Sequence, residues 1–382
     1  MTRLLGLSIA LALLTACPAP PELEPDGGGD TGPDGGQGDG GRSCDVAPHD
    51  PVLGTAQLAP GFRLLDFAAL PTTSWLPVAA VNALLPDAGL GLTVYGLAGD
   101  GRVHRLGLWP QLEAPSAANE LFDAVAPEDR ALQVLVTPAL ATTQGRLLAG
   151  YRTVRSGGFV DGGAVLFDTN SPDTSGRWFA APGLESALGL GSFFLAGGDG
   201  LGAAGGARGV YAAPLNGDPP RLVARYPVVA GETVRPGPMA VTANGVVVLG
   251  HALDLAGRHS LRLPAPALLE AALGGGAPVD LAGAPELTAA DDVQNVVGIG
   301  HGVAVLHTQK VRGVLPALGR LEHYPLSRND AGTAVGAPLA MLSADDDGCT
   351  AVSQFVPVTG GLSVIVGLWD KNGQRLVRLA PR

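Results

Sequence analysis

The sequence predicts an all-β chain folded as a single β-propeller of six four-stranded blades. Three observations carry this expectation. Six short apolar runs each open on a glycine, at Gly91, Gly145, Gly191, Gly245, Gly302 and Gly361, spaced 54, 46, 54, 57 and 59 residues apart, which suits one blade per period. Each run is followed by a second strand-like run, beginning near Arg102, Gly163, Arg208, His259, Arg320 and Arg375. The composition agrees: 57 glycines and 32 prolines supply turns, and with only 5% aromatic residues the core falls to Val, Leu and Ala, which suit a pleated surface.

Taken from the start, Arg3 precedes a nearly unbroken apolar run over residues 4–16. At about 1.5 Å per residue that run is too short to cross a bilayer, and it has the anatomy of an export signal. It ends Leu14-Thr15-Ala16-Cys17, which resembles the lipobox of bacterial lipoproteins. The resemblance implies a signal peptide over residues 1–16 and cleavage before Cys17. It implies a diacylglycerol on the Cys17 sulfur and a palmitate-type acyl chain on the new amino group. Several chains hold a membrane far better than one. Pro18, where an Asp often marks inner-membrane retention in that family, points the resemblance to the outer membrane, facing either the periplasm or the outside.

Residues 17–43 then form the lipidated cysteine and a Gly/Asp/Pro tether with no side chain to nucleate a core, expected to be disordered. Asp26, Asp30, Asp34 and Asp39 repel one another and extend it. A calcium-binding Asp/Gly repeat is the competing reading, but no nine-residue period with an apolar position is present. The propeller domain is expected over residues 44–382.

Apart from Cys17 the chain holds two cysteines, Cys44 and Cys349, an even pair in an oxidising compartment. In a closed ring the first and last blades are neighbours, so a disulfide between them would staple the ring, worth about 3–5 kcal/mol by chain entropy. Two buried free thiols are the alternative.

Inner strands are expected at 76–83, 132–137, 187–190, 239–242, 293–299 and 352–358, and third strands at 103–108, 164–168, 209–214, 260–263, 321–326 and 376–379. More polar outer strands are expected at 177–180, 221–226, 278–282 and 338–342, with short helices at 117–125 and at 267–273, the second stopping at Gly274. The last repeat has no fourth strand of its own. An N-terminal strand, from 52–58 or 62–67, would complete it and leave no open edge. A pair of β-sandwiches, or a seven-bladed ring with 52–67 in a degenerate blade, are the alternatives. Phe193-Phe-Leu-Ala-Gly197-Gly198 with the later Val210-Tyr211, and Trp178 after the run 164–168, resemble kelch repeats. That resemblance covers roughly a hundred residues, and the other four repeats lack the double glycine.

A net charge of −11, or −12 once Arg3 leaves with the leader, argues against a nucleic-acid partner. No G-x-S-x-G, H-E-x-x-H, P-loop or C-x-x-C motif occurs, and the seven histidines form no ligand-spaced pair; His301 and His307 should fall at opposite ends of one strand. The loops between second and third strands and those between blades share one face, where propellers bind. Arg152, Arg155, Asp199, His251, Asp254, Lys310, Arg312, Trp369 and Lys371 fall on the first loop class, and Glu232, Arg235, Asp291 and Asp292 on the second. Asp345-Asp346-Asp347-Gly348 offers oxygen ligands suited to Ca²⁺, the one cofactor the sequence suggests. Asn82, Gln133, Gln294, Asn295 and Gln354 are polar exceptions on inner strands, placed either to line the channel or to bond neighbouring blades.

These features favour a lipid-anchored, monomeric binding or scaffold module for an envelope protein or glycan. The alternatives are a propeller enzyme with a channel site, of the lactonase or sugar dehydrogenase class and Ca²⁺-dependent, or a structural surface protein without a specific ligand.

Overall fold

The structure is a computed structural model. It describes residues 50–70, 78–85, 89–98, 101–127, 129, 133–154, 160–169, 176–181, 184–198, 207–229, 234–253, 258–290, 293–308, 319–329, 332–343, 350–358, 361–370 and 373–382. They form six antiparallel sheets, each a blade.

Blade one holds Val78–Leu85, Gly89–Leu97, Arg102–Leu108 and Glu120–Asp123. Blade two holds Gln133–Thr143, Arg146–Val154, Val160–Asp168 and Arg177–Ala180. Blade three holds Ser186–Leu190, Phe193–Gly198, Gly209–Pro214 and Arg221–Arg225. Blade four holds Val234–Val241, Val247–Leu253, Arg258–Arg262 and Glu286–Ala290. Blade five holds Val293–Ile299, Gly302–Thr308, Gly319–Asn329 and Leu339–Ser343. Blade six holds Ala351–Pro357, Val364–Asp370 and Gly373–Pro381, and is completed by Phe62–Leu70 from the other end of the chain.

Each inner strand touches the inner strands of both neighbouring blades, and the circuit closes between blades six and one. The ring therefore has six blades and not seven. The expected N-terminal closing strand is present as Phe62–Leu70, paired from Phe62 with Pro381 to Leu70 with Gln374. Gln57–Leu58 adds a fifth strand to blade five, opposite Leu342 and Ser343. The core is a series of aliphatic seams between blades, such as Leu188, Leu195, Val210, Leu249 and Met239 between blades three and four.

Two expected elements come out differently. Residues 117–125 form no helix: a turn leads into the strand Glu120–Asp123, whose Phe122 stacks on Phe167 of blade two at 4.1 Å between ring centres. Pairing with Arg102–His104 outweighs the helical spacing of that segment. Nor is 278–282 the outer strand of blade four. Only Val279–Asp280 is extended, and it runs parallel to the outer strand of blade three. The expected helix, Pro266–Leu273, buries Leu269 and Ala272 against blade three and carries the chain back there, so Glu286–Ala290 takes the outer place in blade four.

The turns between inner and second strands need left-handed backbone. Gly145, Gly191, Gly245 and Gly361 supply it with φ of 72°, 55°, 79° and 65°, but in blade five Gly300 (φ 57°) does so in place of Gly302. Gly91, expected to open a run, pairs with Ala83 inside a strand. The turns also bond to one another: Thr143 Oγ1 donates to Gly191 O at 2.8 Å, Ala243 N to Gly300 O at 2.9 Å, and Gly300 N to Gly361 O. Gly361 of blade six lies so near Ala243 of blade four that a Cβ on it would be 3.2 Å from the Ala243 nitrogen. Turns of non-adjacent blades thus meet, which closes in the axial channel at this end.

Inner strands approach as closely elsewhere. A Cβ at Gly298 would lie 1.7 Å from Val241 O, whereas at Gly61 it would meet nothing within 4 Å. Gly298→Ala should therefore destabilise the fold by about 1–3 kcal/mol, while Gly61→Ala stays within about 0.5 kcal/mol of the parent, read from denaturant midpoints.

Candidate functional site

Antiparallel pairing puts the starts of inner and third strands at the same end as the finishes of second and outer strands. This end, here the loop face, is where the sequence places the candidate binding residues. The backbones of Arg152 and Trp369 lie toward it in the second strands of blades two and six. Their side chains lie outside the described residues, as do Cys17, Cys44, Arg155, Asp199, Glu232, Asp254, Asp291, Asp292, Lys310, Arg312, Asp345, Asp346, Asp347, Cys349 and Lys371. Among the described residues no group of three or more His, Cys, Asp or Glu is placed to hold a metal ion.

His251 is described, and it corrects the expectation of an exposed loop residue. It sits in the second strand of blade four between Pro236 and Ser260, only 1% exposed, and faces blade three, where the Tyr226 ring centre is 6.1 Å away. Its Nδ1 finds no hydrogen-bond partner among the described residues. Burial lowers its pKa to about 4, the Arg262 charge adds to this, and Glu286 opposes it. The imidazole is neutral at pH 7.

Beside it, Ser260 Oγ donates to Glu286 Oε2 at 2.9 Å, and Arg262 binds the same oxygen at 2.9 Å. A serine, a histidine and a carboxylate thus lie together, but the order is wrong for nucleophile activation. A relay needs the histidine between hydroxyl and acid, and here the carboxylate takes the serine proton donor directly. The group acts as a polar clamp running from the buried His251 and Ser260 to the exposed Glu286.

The seam between blades four and five repeats this pattern. His307, 3% exposed, lies 3.4 Å from Glu322 Oε2, which also accepts from Tyr324 OH at 3.1 Å, while Arg320 Nε donates to Oε1 at 3.2 Å. Burial raises the Tyr324 pKa, and Glu322 raises it further. In this second seam, farther from the loop face than His307, Val303 and Val305 pack with Val248 and Leu261. His301 is exposed at the opposite end of the strand from His307. Of the inner-strand amides, Gln354 accepts from Val78 N at 3.1 Å and so bonds blade six to blade one. Asn295 Oδ1 takes its own neighbour's amide, Val296 N, at 2.8 Å. Gln294 is exposed. The side chains of Asn82 and Gln133 lie outside the described residues.

The chain enters the ring on this same face. Asp50 caps the entry turn by accepting from Val52 N and Leu53 N at 2.6 and 2.9 Å. Thr55 N donates to Thr350 Oγ1 at 3.1 Å, just ahead of the inner strand of blade six. The largely buried Arg375–Asp370 ion pair lies alongside: a Cβ at Gly54 would be 3.1 Å from the Arg375 guanidinium. Sequence reasoning found the closing strand but not this entry point, which depends on a hydroxyl and a guanidinium meeting the turn in space.

No protein-family profile matches the chain, and no curated protein matches it. Solved structures resemble it at low identity. The soluble aldose sugar dehydrogenase of Escherichia coli is 12% identical over 86% of this chain and 100% of that one, with a TM-score of 0.42. A glucose dehydrogenase is 12% identical over 84% and 98%, with a TM-score of 0.44. A fucoside-bound Aleuria aurantia lectin is 11% identical over 80% and 95%, with a TM-score of 0.36. Likenesses of this size carry no argument about activity.

The His251 environment sets a pH dependence. Its folded pKa of about 4 lies below the ordinary value of 6.5, so between these values the unfolded chain binds more protons and stability falls as pH falls. The stability at stake is about 3 kcal/mol, fully present above about pH 6.5 and lost by about pH 4. The stability difference between the parent and His251→Leu should shrink by that amount from pH 7 to pH 4, measured by urea unfolding; a difference constant with pH would contradict it.

Proposed function

We propose that this protein is a lipid-anchored, extracytoplasmic binding module that presents the loop face of its propeller to a component of the cell envelope, a protein or a glycan. The supporting observation is that the chain enters the ring on this face, at Asp50–Thr55, while the opposite end is closed in by bonded turns. An anchor at Cys17 would then hold the binding face toward its own membrane. From Cys17 to Asp50 is 33 residues. A Gly-rich chain of that length spans about 30 Å root mean square.

In this reading residues 1–16 are a removed leader, residues 17–43 the tether, and the membrane the outer membrane. Cys44 and Cys349 form a disulfide, a reading supported by the Thr55–Thr350 hydrogen bond, which brings together the chain segments that follow each cysteine. Asp345–Asp347 is its candidate Ca²⁺ site.

The test is capture from solubilised native envelope with the full chain as bait, with and without chelator. One enriched partner is expected, and its loss on chelation would implicate Asp345–Asp347. Cys17→Ser should move the protein from the membrane to the soluble fraction, and thiol counting on that variant should find no free thiol before reduction and two after. Capture of nothing specific, in either condition, would sink the binding reading.

A further inference from the structure

The closing strand enters blade six beside a histidine. Phe62, its first residue, packs edge-on against His323 in the third strand of blade five, with ring centres 5.6 Å apart and the planes at 72°. His323 pairs with Ala304 and Leu339. Ala304 and Phe62 both belong to the aliphatic seam between blades five and six, so the imidazole faces blade six. Its Nε2 is buried and has no hydrogen-bond partner among the described residues. A Cβ on Gly302 would lie 2.5 Å from that nitrogen, so the ring rests on bare backbone there. The same turn is tied to its neighbours, Gly300 N donating to Gly361 O and Ala243 N to Gly300 O. His323 thus stands where the closing strand, the seam and the bonded turns meet.

Among the described residues the ring meets no counter-charge. On its own strand Arg320 and Glu322 pair with His307 and Val305, on the face toward blade four. On blade six, Arg63, Asp66 and Arg378 lie on the far face, toward Trp109 of blade one. Asp370 and Arg375 do face blade five, but they pair with each other at 2.5 Å. Arg375 also stands six residues before Pro381, about 20 Å along the strand from the Phe62 end. Arg382, whose Nε donates to Phe62 O at 3.0 Å, brings a positive charge to that end, and the exposed His301 adds another when protonated. The crossing segment 57–61 carries no charged residue.

The neutral ring is therefore the form that suits the docked strand. Burial holds the His323 pKa below its ordinary 6.5, and a hydrogen bond with the Ile299 backbone opposes this. Once the strand leaves, water reaches the ring and protonation becomes easier. The undocked state then binds the proton more tightly, so docking is at full strength above about pH 6.5 and weakens as pH falls below it.

We infer that His323 is an acid-sensitive latch on ring closure: the neutral imidazole seats Phe62, and the imidazolium frees the closing strand from its Phe62 end. The chain reaches that end directly from blade five, so the short pairing of Gln57–Leu58 with Leu342 and Ser343 loosens with it. The latch differs from the His251 effect, which acts in the seam between blades three and four and lowers the stability of the whole ring. It does not depend on the binding reading.

The experiment is amide hydrogen exchange of the full detergent-solubilised chain at pH 7.5 and pH 5, read by mass spectrometry and corrected for the intrinsic pH dependence of exchange. Peptides covering residues 57–70 should lose protection several-fold more, on acidification, than those covering Arg177–Ala180, the outer strand of blade two. His323→Gln and His323→Leu cannot titrate, so in either variant the two segments should lose protection equally. In the parent, an equal loss in both segments, or no loss in 57–70, would overturn the latch whatever the variants do. A selective loss at 57–70 that persists in either variant would overturn it too, by showing that another group releases the strand.

Discussion

The antiparallel pairing of Phe62–Leu70 with Gly373–Pro381 joins the two ends of the described chain, and the other blades depend on it to form a ring. The strand does more than cover an edge. A register shift between Leu64 and Asp66 turns its side chains over partway along. Phe62 and Leu64 therefore pack with the seam between blades five and six, while Leu70 packs with that between six and one. At the middle, Asp66 accepts from Trp109 Nε1 of blade one at 2.7 Å. One strand thus holds three blades, and it fixes where the preceding chain emerges.

That placement links the fold to the proposed role. Because the closing strand runs toward the loop face, the segment before it must cross the outside of the ring from that face, through Thr55 on Thr350 and Leu58 on Leu342. The opposite end carries the turns that bond to one another. The polar clamps around Glu286 and Glu322 tie strands together within blades four and five, and the aliphatic seams beside them carry the packing between blades. The result is a ring of packed blades under one face.

Much of this architecture could be read from residues alone, because glycine-bounded apolar runs at a blade-length spacing have few other solutions. The runs 177–180 and 221–226 emerged almost unchanged as the outer strands of blades two and three. Failures fell where tertiary contacts decide. Residues 117–125 have helical spacing, but Phe122 has a ring to stack on in the next blade. The segment 278–282 was drawn to blade three by a helix whose buried face could not be known in advance. For the site, sequence order put His251 on a loop, since it comes three residues before Asp254 at a strand end; only the seam with Tyr226 buries it.

The most direct test of the account compares equilibrium urea unfolding of the chain from Ser43 with that of a chain beginning at Leu76, which lacks the closing strand. The first should unfold in one cooperative transition. The second should lose the cooperative transition, since blade six would keep only three strands and blades five and one would lose their shared seams. Unfolding of the shorter chain with the same midpoint and the same denaturant slope would contradict closure by Phe62–Leu70, and with it the placement of the chain entry on the binding face.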